Sequence, residues 1–215
     1  MTTATWACVV LVVGVALVDW WAVVAQRRTV EYVAKPATMV ALFATAMVLT
    51  PAVPTMRWWF AAAIALSLVG DVLLMLADDE LFVYGLGAFL FGHLGYIGGL
   101  LAGGVSTANL AIGISVLLVA ALLFAPTIVK GASERDRRMA VPVALYISVI
   151  STMVACAIGS GVWAAVVGAL LFYASDFVIG WSRFVGELRN ERITIITTYH
   201  VGQLLLVLSL VCARG

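Results

Sequence analysis

The chain has 215 residues, 64% of them apolar and only 11% charged, with a formal net charge of +1. An ordinary soluble domain is about a quarter charged, so the composition excludes one and reads as an integral membrane protein. The few basic residues lie in loops and at helix ends, which excludes a nucleic-acid surface.

A crossing helix needs about 20 apolar residues. The length therefore holds about eight crossings with short loops, and residues 1–215 read as a single all-α transmembrane domain of eight helices. No Lys or Arg precedes the first apolar run, so the basic region of a signal peptide is missing. That run is read as a retained first helix over residues 6–25, carrying Asp19.

A loop with Arg27 and Arg28 follows. The second helix is expected over 35–50, opened by Lys35-Pro36 and stopped by the prolines at 51 and 54. Proline suits a first helical turn, where its missing N–H has no intrahelical role. Helices three and four are expected over 57–77 and 81–101, separated by the acidic break Asp78-Asp79-Glu80. The fifth is expected over 108–129, before a basic loop at 130–138. The sixth, seventh and eighth are expected over 139–157, 161–181 and 193–212.

Loop charge sets the orientation. With the N-terminus outside, loops 1–2, 3–4, 5–6 and 7–8 and their flanks hold ten basic residues, against Arg57 and Arg214 on the other side. An excess of Lys and Arg marks the cytoplasmic face. Both termini are therefore expected outside a cell membrane.

Ionisable groups within the apolar runs come next. Such groups are costly in a bilayer, face the bundle interior and are functional candidates by default. Asp19, Asp71 and Asp176 come late in helices that descend to the cytoplasm, while Lys35 and His200 come early in helices that ascend from it. At 1.5 Å rise per residue each lies within roughly 10 Å of the inner boundary. His93 lies deeper. The outer half holds no such group, which predicts one polar pocket opening inward. The plainer alternative is that each is satisfied separately, with Asp19 anchoring helix 1 and Lys35 snorkelling to the interface.

Two further patterns are visible. Pro36 precedes Asp71 by 35 residues and Pro142 precedes Asp176 by 34; His93 and His200 follow their prolines by 57 and 58. This spacing suggests that helices 1–4 and 5–8 are parallel pseudo-repeats. Gly95, Gly99 and Gly103, with Gly92 nearby, form a small-residue stripe that lets helices approach closely. Packing within the chain is the first reading of that stripe and a homodimer the second. Cys8, Cys156 and Cys212 all sit in apolar runs without metal-ligand spacing and read as packing residues.

Lys35-Pro36, SLVGD at 67–71, Phe82, GLGAF at 85–89, HLGY at 93–96, FYASD at 172–176 and YHVGQ at 199–203 together resemble the YhhN family, which includes the animal lysoplasmalogenases. The resemblance runs over nearly the whole chain. It implies hydrolysis of the sn-1 vinyl ether of a lysoplasmalogen, a lysophospholipid taken from the membrane lipids. The products are a fatty aldehyde and glycerophospho-ethanolamine or -choline. Vinyl ethers hydrolyse through protonation at carbon, so such a site needs a proton donor and a group to stabilise positive charge and guide water. Two carboxyl groups in one dry pocket share a proton in this way. Asp71 and Asp176 are expected to be that pair and His93 to orient water or tune a carboxyl group. Lys35 is expected to meet the lipid phosphate. Asp19, Tyr96, Tyr199, His200 and Gln203 are expected to line the substrate pocket, and neither metal nor cofactor is expected. A hydrolase of another lysolipid, a proton-coupled transporter and a non-catalytic lipid-binding protein are the competing readings.

Overall fold

A computed structural model describes residues 2–76 and 79–212, with the backbone alone for Asp79 and Glu80. Asp78 and Arg214, which the sequence places in the acidic break and on the outer side, lie outside the described residues. Among the described residues the chain forms eight α-helices, one short 3-10 turn and no strand. The helices are α1 (Thr3–Val24), α2 (Arg28–Val48), α3 (Pro54–Met75), α4 (Asp79–Ala102), α5 (Thr107–Arg135), α6 (Ala140–Ser160), α7 (Trp163–Phe184) and α8 (Glu191–Ser209). The 3-10 turn covers Arg137–Met139.

Consecutive helices pair as α1 with α2, α3 with α4, α5 with α6 and α7 with α8, and α4 lies against α6 while α8 lies against α2. Six of the eight, α1 and α3 to α7, are long and apolar enough to cross a membrane. The expectation of eight such spans is met in helix number but not in apolarity. The exceptions are α2, with Arg28, Glu31 and Lys35, and α8, with Glu191 and Arg192. Both contribute to the site, α2 through Lys35 and α8 through Tyr199.

Two boundaries depart from expectation. Helix α2 begins at Arg28, so Pro36 lies inside it rather than opening it. Arg, Glu and Ala are good helix formers, and Glu31 is held by Arg192 of α8 at 2.6 Å. Pro36 cannot donate a bond to the helix ladder, and the helix continues through it. The turn before α2 explains the early start. Gln26 takes φ 56°, and Arg27 and Gln26 donate backbone N–H groups to Ala22 and Val23, the crossed pair of a Schellman stop. Helix α5 likewise runs on to Arg135, so most of the expected basic loop is helical. Gly131 makes this continuation possible, because any Cβ there would lie 2.0 Å from the Phe184 carbonyl oxygen.

The glycine stripe of α4 is covered within the chain. Gly92 and Gly95 meet Ala63 of α3, Gly99 meets Phe60 and Gly103 meets Met56. A second close crossing, not anticipated, joins α7 to α8. There a Cβ on Gly202 would lie 2.8 Å from the Gly168 carbonyl oxygen and 2.9 Å from the Phe172 nitrogen. These two tight pairs bring Asp71 and His93 to one wall of the interior, and Asp176 and Tyr199 to the other.

Candidate active site

The first acidic centre forms where α2, α3 and α8 meet. Asp71 is 1% exposed. Its Oδ1 lies 2.9 Å from Lys35 Nζ, and its Oδ2 accepts from the Tyr199 hydroxyl at 2.7 Å. The same hydroxyl lies 3.3 Å from Met39 Sδ. A buried charge persists only when paired and hydrogen-bonded, and both oxygens here have a partner. Gly70 belongs to the same arrangement. A Cβ there would lie 2.5 Å from the Phe89 ring, so the glycine beside Asp71 lets Phe89 close over this centre.

The second centre forms between α4, α6 and α7. Asp176, 9% exposed, accepts from the Tyr146 hydroxyl through Oδ2 and from the Ser175 hydroxyl through Oδ1 at 3.2 Å. His93 Nε2 stands 3.6 Å from the same Oδ2. His93 Nδ1 lies 2.6 Å from the Phe89 carbonyl oxygen. A carbonyl only accepts, so Nδ1 carries a hydrogen and Nε2 is the nitrogen turned to Asp176. These partners are two hydroxyls and an imidazole, where Asp71 has an ammonium.

Two phenyl rings stand between the centres. Phe172 lies 4.7 Å from the His93 ring and 5.1 Å from that of Tyr199, and Phe89 lies 5.9 Å from Tyr199. The five residues Lys35, Asp71, His93, Asp176 and Tyr199 thus share one interior region, in two compartments.

The remaining expected residues lie around it. Tyr96 donates to Gln203 Oε1, whose amide nitrogen has no partner among the described residues. His200 Nδ1 accepts from Trp20 Nε1 at 3.2 Å, which leaves its Nε2 without a partner there. Asp19, fully buried, has no hydrogen-bond partner on either oxygen among the described residues, and its electrostatic neighbours are Lys35, Glu31, Asp71 and Arg192. The structure therefore brings Asp19 near the first centre without joining it. Among the described residues no three His, Cys, Asp or Glu side chains converge as metal ligands would.

Two cavities adjoin the centres. One is narrow and apolar, with Phe124, Ile147, Ile150 and Phe177 among its walls and Tyr146 and Asp176 on its polar side. The other is an open basin of about 470 Å³, walled by Arg28, Glu31, Tyr32, Lys35, Arg183, Glu191 and Arg192. Leu74, Phe82 and Ile179 line both. A polar basin thus meets an apolar slot at a shared wall, with Lys35 in one and Asp176 in the other.

Sequence reasoning missed Tyr146 as the partner of Asp176, Trp20 as the partner of His200, and the rings of Phe89 and Phe172. It quoted Phe89, Phe172 and Ser175 within motifs but gave them no role. A signal existed for Tyr146. Tyrosine belongs at membrane interfaces, and buried hydroxyls need partners, so a tyrosine inside the apolar run of α6 asks for an acceptor.

The fold and site together define a multi-pass, all-α membrane protein with two acidic centres beside a polar basin and an apolar slot that share a wall. The YhhN family model matches residues 30–210, and the chain belongs to that family. It is 36% identical over 170 residues to the lysoplasmalogenase of Mycobacterium bovis, covering 74% of this chain and 61% of that protein. It is 31% identical over 155 residues to the lysoplasmalogenase TMEM86B of Mus musculus, covering 71% of this chain and 63% of that protein. To the Homo sapiens TMEM86B it is 35% identical over 150 residues, covering 68% and 61%. The chain therefore spans about three-fifths of the length of these curated relatives. No solved structure matches it.

Proposed function

We propose that the protein hydrolyses the sn-1 vinyl ether of lysoplasmalogens to a fatty aldehyde and glycerophospho-ethanolamine or -choline. The observation that carries this reading is an apolar slot with an acid on its lining, set beside a polar basin across the shared wall of Leu74, Phe82 and Ile179. The alkenyl chain occupies the apolar slot, the head group occupies the basin, and the ether lies at their junction. Its relatives named lysoplasmalogenase support the same substrate.

Asp176 is the general acid in this reading. Its proton passes to the β-carbon of the vinyl ether, whose π electrons form the new C–H bond. The adjoining carbon becomes an oxocarbenium ion, stabilised by the carboxylate left behind and by Asp71. Water, oriented by His93, adds to that carbon and returns a proton to Asp176. The hemiacetal then collapses. Its hydroxyl proton leaves, the carbon–oxygen bond to glycerol breaks, and the glycerol oxygen takes up a proton. One water is consumed and the enzyme ends as it began. A positioned acid contributes typically about 10²–10⁴-fold. Asp71 stays ionised against Lys35, with Tyr199 fixing its orientation. Tyr96, Gln203, His200 and Asp19 form the surrounding wall.

The acid site lies toward the cytoplasmic half of the cell membrane, with all eight helices crossing and both termini outside. The loop arginines support this orientation. The halves α1–α4 and α5–α8 are parallel pseudo-repeats. Support comes from exchanged contacts. Asp71 meets Tyr199 and Asp176 meets His93, and in each pair the second-half residue stands 105 or 106 positions after its counterpart. Tyr199 rather than His200 is then the counterpart of His93. A homodimer would use a face other than the α4 glycine stripe, which α3 covers.

The test is product identification by mass spectrometry. Purified protein is given vinyl-ether, ester and alkyl-ether lysolipids, and aldehyde is expected from the vinyl ether alone. Release of fatty acid from the ester, or no aldehyde at all, would overturn the reading.

A further inference from the structure

Helix α5 is seated at its ends and not in its middle. Its buried residues are Gly113, Leu117, Ile128 and Ala132. Gly113 packs on Ala155 of α6, where a Cβ would lie 3.0 Å from the Ala155 Cα, and Gly131 packs on the Phe184 carbonyl of α7. Between Leu117 and Ile128, about three turns, no described residue of α5 is buried. The positions that continue the inward face there are Ala120, Ala121, Phe124 and Ala125, three methyl groups and one ring. Pro126 stands in the same stretch. It cannot donate to the Leu122 carbonyl, so the helix resists bending least where it is least packed.

This stretch borders the apolar slot. Phe124 and Ala125 line it, together with Tyr173, Asp176 and Phe177 of α7. Phe124 is also 47% exposed, so it stands at the mouth of the slot rather than on its floor. Its ring meets that of Phe177 edge-on, with centroids 5.6 Å apart, and Phe177 meets Trp181 in turn. The slot itself measures about 70 Å³, far below the ~300–1,000 Å³ of an enclosed small-molecule site. A long alkenyl chain does not fit that space with its walls as they stand.

We infer that the middle of α5 is a lateral gate between the slot and the bilayer, closed by Phe124 and Phe177, through which the chain of a membrane-dissolved substrate enters. The inference rests on the proposed function and adds the route of entry and the residues that control it. The helix bows outward between its two glycine pins, Phe124 parts from Phe177, and the chain lies across the gap. The carbons next to the ether reach Asp176, and the rest of the chain stays in lipid. Opening gives up one edge-to-face ring contact. It exposes apolar side chains to lipid tails rather than to water, so no hydrophobic penalty opposes it. The enzyme therefore reads the chain at the gate and not along its whole length.

Entry is tested first without turnover. A non-hydrolysable alkyl-ether lysolipid with a diazirine at mid-chain is photolysed with the protein in phosphatidylcholine vesicles, and adducts are mapped by mass spectrometry. Adducts that excess unlabelled ether lysolipid suppresses are expected on residues 120–125 and on Phe177. Suppressible adducts on other helices alone would overturn the gate. Turnover is then compared for a long-chain lysoplasmalogen and a short-chain alkenyl analogue that needs no gate. In Phe124→Trp the ratio of long-chain to short-chain kcat/KM is expected to fall about tenfold, the order that one over-large ring costs in a packed contact. Pro126→Ala returns the missing donor, stiffens α5 and should lower the ratio by a smaller factor. Leu122→Trp, at a position 67% exposed, should leave the ratio as in the wild type. Equal falls in Leu122→Trp and Phe124→Trp, or no fall in Phe124→Trp, would end the inference. If no vinyl ether is cleaved, the catalytic reading fails, and the labelling pattern still decides the gate.

Discussion

Asp71 meets an ammonium, Lys35 Nζ at 2.9 Å, whereas Asp176 meets the hydroxyls of Tyr146 and Ser175 and, at 3.6 Å, an imidazole. Asp71 is 1% exposed, with Phe89 packed on the neighbouring Gly70, while Asp176 lines the apolar slot. Two carboxyl groups 105 positions apart in the chain are thus given different electrostatic answers. In the proposed reaction like residues in unlike surroundings take different roles, Asp71 as a fixed negative charge and Asp176 as the group that exchanges a proton.

The sharpest way to break this contrast is to neutralise each acid in turn. Asp176→Asn should lower kcat for aldehyde release by about 10²–10⁴-fold with the fold retained, as read by turnover and by size-exclusion behaviour in detergent. Asp71→Asn should lose activity by a smaller factor, because it removes stabilising charge but not the proton donor. Equal losses would mean that the two centres act as one shared acid.

Stability should separate the centres as well. Lys35→Met leaves a buried carboxylate without its counter-charge and should cost about 3–5 kcal/mol, read by thermal unfolding in detergent. Adding Asp71→Asn to Lys35→Met should recover part of that loss. Tyr146→Phe, the corresponding deletion at Asp176, should cost about 1–2 kcal/mol, since it removes one hydrogen bond from an acceptor that keeps others. A Tyr146→Phe loss as large as that of Lys35→Met would make the second centre as charge-dependent as the first.

The scaffold that holds the centres can be probed in the same way. Gly202→Ala places a methyl group 2.8 Å from the Gly168 carbonyl oxygen, a backbone atom, and should cost about 1–3 kcal/mol. At Gly14 a Cβ meets nothing within 4 Å, so Gly14→Ala is the neutral control. Loss of activity from Gly202→Ala beyond its loss of folded protein would show that the α7–α8 crossing sets the position of Asp176 relative to Tyr199.

Much of the site was legible because a charge in an apolar run is conspicuous. Asp71, His93 and Asp176 were found in this way, and so was the glycine stripe of α4. Polar residues hidden by ordinary chemistry were not found. Tyr146 and Trp20 look like interface or core aromatics until a partner is seen, and the partners lie 30 and 180 positions away. Residues 28–34 read as a loop because they are charged. They are helical from Arg28 on, after the turn at Gln26, and Glu31 there meets Arg192 from the other end of the chain, a contact no local pattern carries. The break after Val129 failed for the same reason, since the packing of Gly131 on Phe184 is a tertiary contact.

The smallest effect concerns the periphery of the first centre. His200 Nδ1 accepts from Trp20 Nε1, so a neutral His200 carries its hydrogen on Nε2. Trp20→Phe removes the donor and leaves Nδ1 buried without one, which should cost about 1–3 kcal/mol of stability. The imidazole packs at a tilt against Tyr199 with ring centroids 5.5 Å apart, and Tyr199 in turn holds Asp71. A loosened His200 therefore reaches the fixed negative charge through one intermediary and the proton donor only through the phenyl rings beyond it. Turnover by folded Trp20→Phe should fall by no more than a few-fold. A loss as deep as that of Asp176→Asn would move His200 from the wall of the site into its chemistry.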